Sequence, residues 1–249
     1  MRQLLIINPN TSAAVSALLT THGSAAAGPD VQVRCVTARF GAPYISDEAS
    51  YAVATHATLD AWAAAIADTG EPPYRPDAVL IGCFGDPGLF ALRESSPVPV
   101  TGLAEAAFFM AARHGRFSIV TGGERWKPML QRLAGALGQS DALAGIHTVA
   151  PTGAQLAADP TWAQQILAQA CRDAAEKFGA DAVILGGAGL AGMAAAMQDQ
   201  VDVPLIDSVT AGAHWALHGA VAAPERERAG FDSAWLRLSP EMQALGQRG

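Results

Sequence analysis

Asp77-Ala78-Val79-Leu80-Ile81-Gly82-Cys83-Phe84-Gly85-Asp86-Pro87-Gly88-Leu89 is an apolar, strand-length run that ends in a small-residue turn, and the chain repeats it as Asp181-Ala182-Val183-Ile184-Leu185-Gly186-Gly187-Ala188-Gly189-Leu190. One offset carries both Asp77 to Asp181 and Cys83 to Gly187. Each copy presents its last residues at the carboxyl end of a strand, where open α/β sheets build their sites. The first copy carries a thiol there, and the second offers backbone alone.

Outward from this pair, a Val-Pro strand follows each copy, Val98-Pro99-Val100-Thr101-Gly102 and Val203-Pro204-Leu205-Ile206-Asp207. Leu5-Ile6-Ile7-Asn8-Pro9-Asn10 has a looser echo in Ser118-Ile119-Val120-Thr121-Gly122-Gly123. β-branched runs alternate with Ala-rich segments throughout, the βαβα pattern of a parallel sheet covered by helices. Strands are predicted at 3–8, 31–37, 77–83, 98–102, 117–122, 146–150, 180–186 and 203–207. Helices are predicted at 11–22, 48–68, 103–113, 124–137, 160–178, 188–198 and 208–220. Asn10-Thr11-Ser12, Asp86-Pro87 and Asp159-Pro160 each read as a cap at or just before a helix start. The fold class is therefore α/β: two similar Rossmann-like parallel-sheet halves related by a pseudo-two-fold, with the site in the cleft between them. Residues 1–102 plus about 208–249 are assigned to the first half, and 103–207 to the second.

The chain has 249 residues, half of them hydrophobic, enough to bury a large core. A net charge of -7 without a Lys/Arg cluster argues against nucleic acid or an anionic membrane as partner, because both need a basic face. The opening apolar run reaches Asn8-Pro9 too soon for a signal segment, and no stretch approaches the ~20 apolar residues of a membrane span. A cytoplasmic location is expected. Three irregularly spaced cysteines do not form a disulfide framework, and Cys35 and Cys171 read as small buried hydrophobes. Cys83 reads equally as a core cysteine or as a reactive thiol.

A cleft with one turn from each half suits a planar, resonance-stabilised anion. Backbone N–H groups at Phe84-Gly85, Gly122-Gly123 and Ala188-Gly189 are candidate donors to carboxylate or enolate oxygens, with no metal required. A side chain beside that plane can move a proton at the carbon next to the carbonyl. Ile45 and Ser46 follow the Gly41-Ala42-Pro43 loop and are placed to close over a ligand or to serve as linkage. Asp86 reads as a cap more than as a partner polarising Cys83, and Asp47 and Glu48 as cap and first-turn charge. His214 and His218 have a metal-compatible spacing but no evident third ligand, so they read as surface or interface residues and no metal is assigned. Gly186-Gly187-Ala188-Gly189 lacks the spacing of a dinucleotide fingerprint, and no Gly-Lys-Ser/Thr occurs. The last stretch, 224–249, reads as a surface segment docked by Trp235, Leu236 and Leu238.

The combination of Ile7-Asn8-Pro9-Asn10-Thr11-Ser12, Gly82-Cys83-Phe84-Gly85-Asp86-Pro87-Gly88-Leu89, Gly102-Leu103-Ala104-Glu105-Ala106-Ala107, Val120-Thr121-Gly122-Gly123-Glu124-Arg125-Trp126 and Val203-Pro204-Leu205-Ile206-Asp207 resembles the Asp/Glu/hydantoin racemase family, with its hydantoin-racemase-like branch nearest. The resemblance covers most of the chain. It implies a cofactor-independent isomerase acting on a small carboxylate or hydantoin-type substrate, in a homo-oligomer. It also implies that Cys83 is a catalytic thiol, that Pro9 and Asn10 line the substrate, and that Thr121, Gly122, Gly123, Ala188 and Gly189 contribute donors. The family's second thiol falls at position 187, where this chain has glycine. With one thiol, a proton taken from one face returns to that face unless another group serves the far side. Two alternatives accompany this reading. A one-thiol arylmalonate-type decarboxylase is the first, although in that branch the thiol sits in the second turn and hydroxyl-bearing residues follow the first, where Phe84 and Gly85 stand here. A non-catalytic binding protein of the same fold is the second.

Overall fold

A computed structural model describes residues 1–67, 74–150, 155–156, 159–222 and 230–245. Among the described residues, eight strands form two four-stranded parallel sheets. The first contains β1 (Arg2–Asn8), β2 (Val31–Thr37), β3 (Ala78–Ile81) and β4 (Val100–Gly102) in the order β2-β1-β3-β4. The second contains β5 (Phe117–Gly122), β6 (Leu143–Val149), β7 (Ala182–Leu185) and β8 (Leu205–Asp207) in the order β6-β5-β7-β8. The two orders are the same path taken twice, so the looser echo between residues 5–10 and 118–123 falls on equivalent central strands.

The repeated aspartate has a structural task in both copies. Asp77 N–H donates to Gln3 O at 2.8 Å while its carboxylate accepts from Gln3 N–H at 2.6 Å. Asp181 makes the same pair with Arg116, at 2.6 and 2.7 Å. Each aspartate thus sets the register of its strand against the central strand. At the other end of the run, Gly82 N–H donates to Ile7 O at 2.8 Å and Gly186 N–H to Val120 O at 2.9 Å. Register is thereby pinned on both sides of each turn.

Helices α1 (Ala13–Ala27), α2 (Glu48–Ala67), α3 (Leu89–Ser95), α4 (Leu103–Ala112), α5 (Trp126–Ala136), α6 (Pro160–Phe178), α7 (Met193–Met197), α8 (Ser208–His218) and α9 (Pro240–Leu245) complete the described elements, with 3-10 turns at Ala188–Leu190 and Gln198–Gln200. Helices lie on both faces of the sheets, which is why the central strand is apolar at every step: Leu4, Leu5, Ile6 and Ile7 are all fully buried. Leu4 and Ile6 face a core that also takes in Phe117, Ile119 and Ile184 of the second sheet, together with residues of α4 and α8. Leu5 and Ile7 face a separate core under α2. One apolar layer therefore runs between the sheets and ties the halves together. Helix α8 follows the last strand of the second sheet, yet it packs on α1, α4 and β3.

Three sequence-based expectations are corrected. A continuous helix over 188–198 does not form: Gly192 stands at φ 83 and separates the 3-10 turn from the five-residue α7. The pair Asp86-Pro87 does not cap the helix that follows it. That helix, α3, begins at Leu89 behind Gly88 at φ 85 with no side-chain cap, and the Asp86 carboxylate instead reaches α4. Near the carboxyl end, Leu236 is 80% exposed, while docking falls to the buried Met242 and to Glu241, which pairs with Arg39. Trp235 stacks on Phe231. Residues 223–229, including the Glu225-Arg226-Glu227-Arg228 run, lie outside the described residues. Ser12 and Asp159 do cap, accepting from Val15 N–H and Trp162 N–H. No described helix is long and apolar enough to cross a membrane.

Candidate active site

A cavity of about 200 Å³ opens where the carboxyl ends of β1, β3, β5 and β7 meet. Cys83 lines it from the turn after β3, with Gly82 and Phe84. Gly186, Gly187, Ala188, Gly189 and Leu190 line it from the turn after β7. Thr121 and Gly122 come from the end of β5, and Asn10 and Ser12 from the turn that opens α1. The two copies of the repeat thus face one another across a single space.

Asn10 is held in one orientation. Its Oδ1 accepts from Asn8 Nδ2 at 3.0 Å and from Ser12 N–H at 2.9 Å, which leaves the Nδ2 amino group as the end free for a ligand. Asn8 is fully buried and also donates to Ser12 O at 3.0 Å and Ser16 Oγ at 2.9 Å. In the turns, Gly85 and Asp86 N–H both donate to Cys83 O, and Leu190 N–H donates to Gly187 O. The N–H groups of Phe84, Ala188 and Gly189 find no protein acceptor among the described residues. These equivalent positions in the two turns are available to ligand oxygens.

Glycine serves packing at two of these positions more than ligand approach. A Cβ on Gly85 would enter the ring of Trp126 from α5, and a Cβ on Gly186 would enter the ring of Phe84. Each half therefore lays an aromatic ring on the bare turn of the other. Gly187 differs: Leu190 is 3.7 Å from where its Cβ would be, an ordinary contact, but its φ of 141 is one that L-residues rarely adopt. Its N–H donates to Ser208 Oγ at 3.2 Å.

Of the twelve residues named from sequence, Asn10, Ile45, Cys83, Phe84, Thr121, Gly122, Gly187, Ala188 and Gly189 come together on the cavity wall. Pro9, Gly85 and Gly123 do not. Pro9 is buried away from the cavity lining, Gly85 underlies Trp126, and the Gly123 N–H donates to Val149 O at 3.1 Å. The Thr121 hydroxyl donates to Gly186 O at 2.8 Å, so it braces the second turn rather than offering its proton to a ligand. Sequence reasoning missed the apolar wall formed by Ala14, Val15 and Leu18 of α1, by Pro43 and Tyr44, and by Trp126. Only Trp126 carried a signal, as the aromatic just after the Gly122-Gly123 turn. His214 and His218 lie on the exposed side of α8 with ring centroids 4.9 Å apart, and no metal-holding group of three His, Cys, Asp or Glu gathers among the described residues.

Burial raises the Cys83 thiol well above its usual range, and the neighbouring Asp86 raises it further. Burial also raises Asp86, to about 7, against backbone donors at Ala104 and Glu105 that favour its charged form. Tyr51 of α2, whose hydroxyl donates to Gly85 O at 3.0 Å, is pushed up to about 12 by burial, then by Asp86 and Cys83. The resting sulfur is thus a thiol at neutral pH. Cys35 and Cys171 lie elsewhere, and burial raises both.

Similarity to known proteins follows the same outline. A hydantoin racemase from Pseudomonas sp. (strain NS671) is 32% identical over 86% of this chain and 84% of that protein. The structure of an allantoin racemase from Klebsiella pneumoniae superposes with a TM-score of 0.85 at 30% identity, covering 98% of this chain and 99% of that one. Arylmalonate decarboxylase matches with a TM-score of 0.58 at 20% identity, over 89% of this chain and 96% of that chain, a likeness of fold. The model for "Asp/Glu/Hydantoin racemase" matches residues 4–216. With a thiol-bearing turn and its glycine counterpart facing each other across the cavity, this chain belongs to the Asp/Glu/hydantoin racemase family.

Proposed function

We propose that the protein is a cofactor-independent isomerase-type enzyme that moves a proton at the carbon alpha to a carbonyl of a hydantoin-type ring, with Cys83 as its single thiol. The observation that carries this reading is the composition of the cavity wall. Cys83 is joined there by backbone donors, the uncharged side chains of Asn10, Ser12 and Thr121, and apolar side chains, and among the described residues no Lys, Arg, His, Asp or Glu lines the space. A free amino acid brings an ammonium and a carboxylate, and burying either without a partner is costly. A neutral ring with amide edges and an apolar substituent meets donors at Asn10, Phe84, Ala188 and Gly189 and an apolar wall at Val15, Leu18 and Trp126.

In the reaction, Cys83 first releases its thiol proton to solvent; the thiolate so formed takes the proton from the ring carbon, and the electron pair of the broken C–H bond spreads onto the carbonyl oxygen. The backbone N–H groups stabilise that developing negative charge. The thiol, after exchange with solvent, returns a proton to the carbon. Because position 187 is glycine, the far face has no thiol, and return to the original face is the faster outcome. Incubating one enantiomer of a 5-alkylhydantoin in heavy water tests the reading by proton NMR. Loss of the ring C–H signal with the wild-type protein and none with Cys83→Ala is expected. Exchange that persists in Cys83→Ala contradicts a thiol mechanism, and binding without exchange points to a binding protein of this fold.

A further inference from the structure

Asp86 is a buried ionisable group that the proton transfer itself leaves unused. Its residue is 1% exposed, and its backbone stands at φ 54, where residues bearing a Cβ are uncommon. Both carboxylate oxygens are engaged: Oδ1 accepts from Ala104 N–H at 2.9 Å and Oδ2 from Glu105 N–H at 2.7 Å, in the first turn of α4. Gly102, the residue that precedes α4, makes room for it, since a Cβ there would overlap the carboxylate. An uncommon backbone conformation on one side and a glycine on the other both serve this one contact.

The charges around the turn do not neutralise Asp86. Arg93 of α3 reaches Glu105 of α4, which is itself a second carboxylate facing Asp86. The Tyr51 hydroxyl of α2 donates a hydrogen bond to Gly85 O, and Arg132 of α5 pairs with Glu48. The carboxylate is met by backbone dipoles at a helix start, which favour its charge and hold it in place. We propose that Asp86 is the positioning residue of Cys83: its N–H donates to Cys83 O, its carboxylate ties the Cys83 turn to the start of α4, and it sets a negative charge within that turn. A thiolate formed against that charge is a stronger base, which suits a weakly acidic carbon. The proposal takes from the preceding reading only that Cys83 transfers the proton.

The test needs no substrate, so its failure is separable from failure of the proposed function. Alkylation of Cys83 by iodoacetamide is followed from pH 8 to 10, above the raised value of about 7 for the Asp86 carboxyl, by peptide mass spectrometry, with Cys171 of the same protein as an internal reference. Asp86→Asn is expected to react about tenfold faster at a given pH, equivalent to a titration midpoint lower by about one pH unit. Asp86→Ser, which keeps an acceptor for a backbone N–H, is expected to do likewise, and the charge-retaining Asp86→Glu to stay near the wild type. Equal acceleration in Asp86→Glu, or acceleration of Cys171 to the same extent, means a loosened fold and overturns the proposal, as does an unchanged rate in Asp86→Asn and Asp86→Ser.

Discussion

Cys83→Ala deletes one buried sulfur from a small side chain, so the fold should lose only about 1 kcal/mol while proton exchange is abolished. Paired thermal melts and exchange rates check that separation. The glycines of the turns make a sharper contrast. Gly186→Ala and Gly85→Ala each force a methyl into an aromatic ring of the other half, a cost of about 1–3 kcal/mol from overpacking. Gly187→Ala has room for its methyl and should still lose about 1–3 kcal/mol, from backbone conformation alone. Denaturant titration of the three variants reads these costs, and a neutral Gly187→Ala would contradict the positive φ. From the sequence, Gly85 reads as a candidate backbone donor and Gly187 as bare backbone where the family has a second thiol, and Gly186 has no separate role. The reasons at Gly85 and Gly186 lie in contacts with Trp126 and Phe84, distant along the chain, and the reason at Gly187 in its own positive φ, none of which local pattern encodes.

At the level of elements, the strands were legible because two-sided burial writes continuous apolar runs, and because Asp77 and Asp181 mark the same register bond twice. The short α3 and the broken segment over 188–198 were not. Both depend on positive-φ glycines, Gly88 and Gly192, that single-sequence reading treats as ordinary turn residues. Gly192 N–H donates to Asp207 Oδ2 at 2.6 Å, while Oδ1 of the same carboxylate caps α8 by accepting from Val209 and Thr210 N–H. Asp207→Ala should therefore cost about 1–2 kcal/mol and loosen both the α7 turn and the start of α8. Amide hydrogen exchange faster at residues 192–193 and 209–210 than elsewhere is the expected signature. Uniform acceleration across the chain would contradict a local role.

Across the whole molecule, the halves share one apolar layer, and charged contacts fasten its edges. Glu48 at the start of α2 forms a two-pronged pair with Arg132 of α5, at 2.7 and 3.0 Å, and Asp47 approaches Arg125 at 3.5 Å, beside the Tyr44, Ile45 and Trp126 wall of the cavity. Arg39 joins α2 to α9 through Asp60 at 2.7 Å and Glu241 at 2.9 Å. Burial opposes the charge on Asp60, but hydrogen bonds from Arg39 and Ser239 hold its carboxyl below the ordinary range, and Arg39 does the same for Glu241. Carboxyls lowered in the folded state add stability above their unfolded values near pH 4 and lose it as pH falls through the folded values. Docking of α9 should therefore weaken below about pH 4, read as earlier proteolysis near residue 240 than in the sheets, and Arg39→Ala should flatten that dependence. In the cavity beside the Glu48–Arg132 and Asp47–Arg125 pairs, the proposed chemistry has one thiol serving one face of a ring carbon. The most direct measurement follows deuterium incorporation and optical rotation together, on one enantiomer of a 5-alkylhydantoin in heavy water. Incorporation faster than loss of rotation, with both absent in Cys83→Ala, is the predicted result. Inversion as fast as exchange would contradict one-sided transfer and require a second proton-carrying group opposite Cys83.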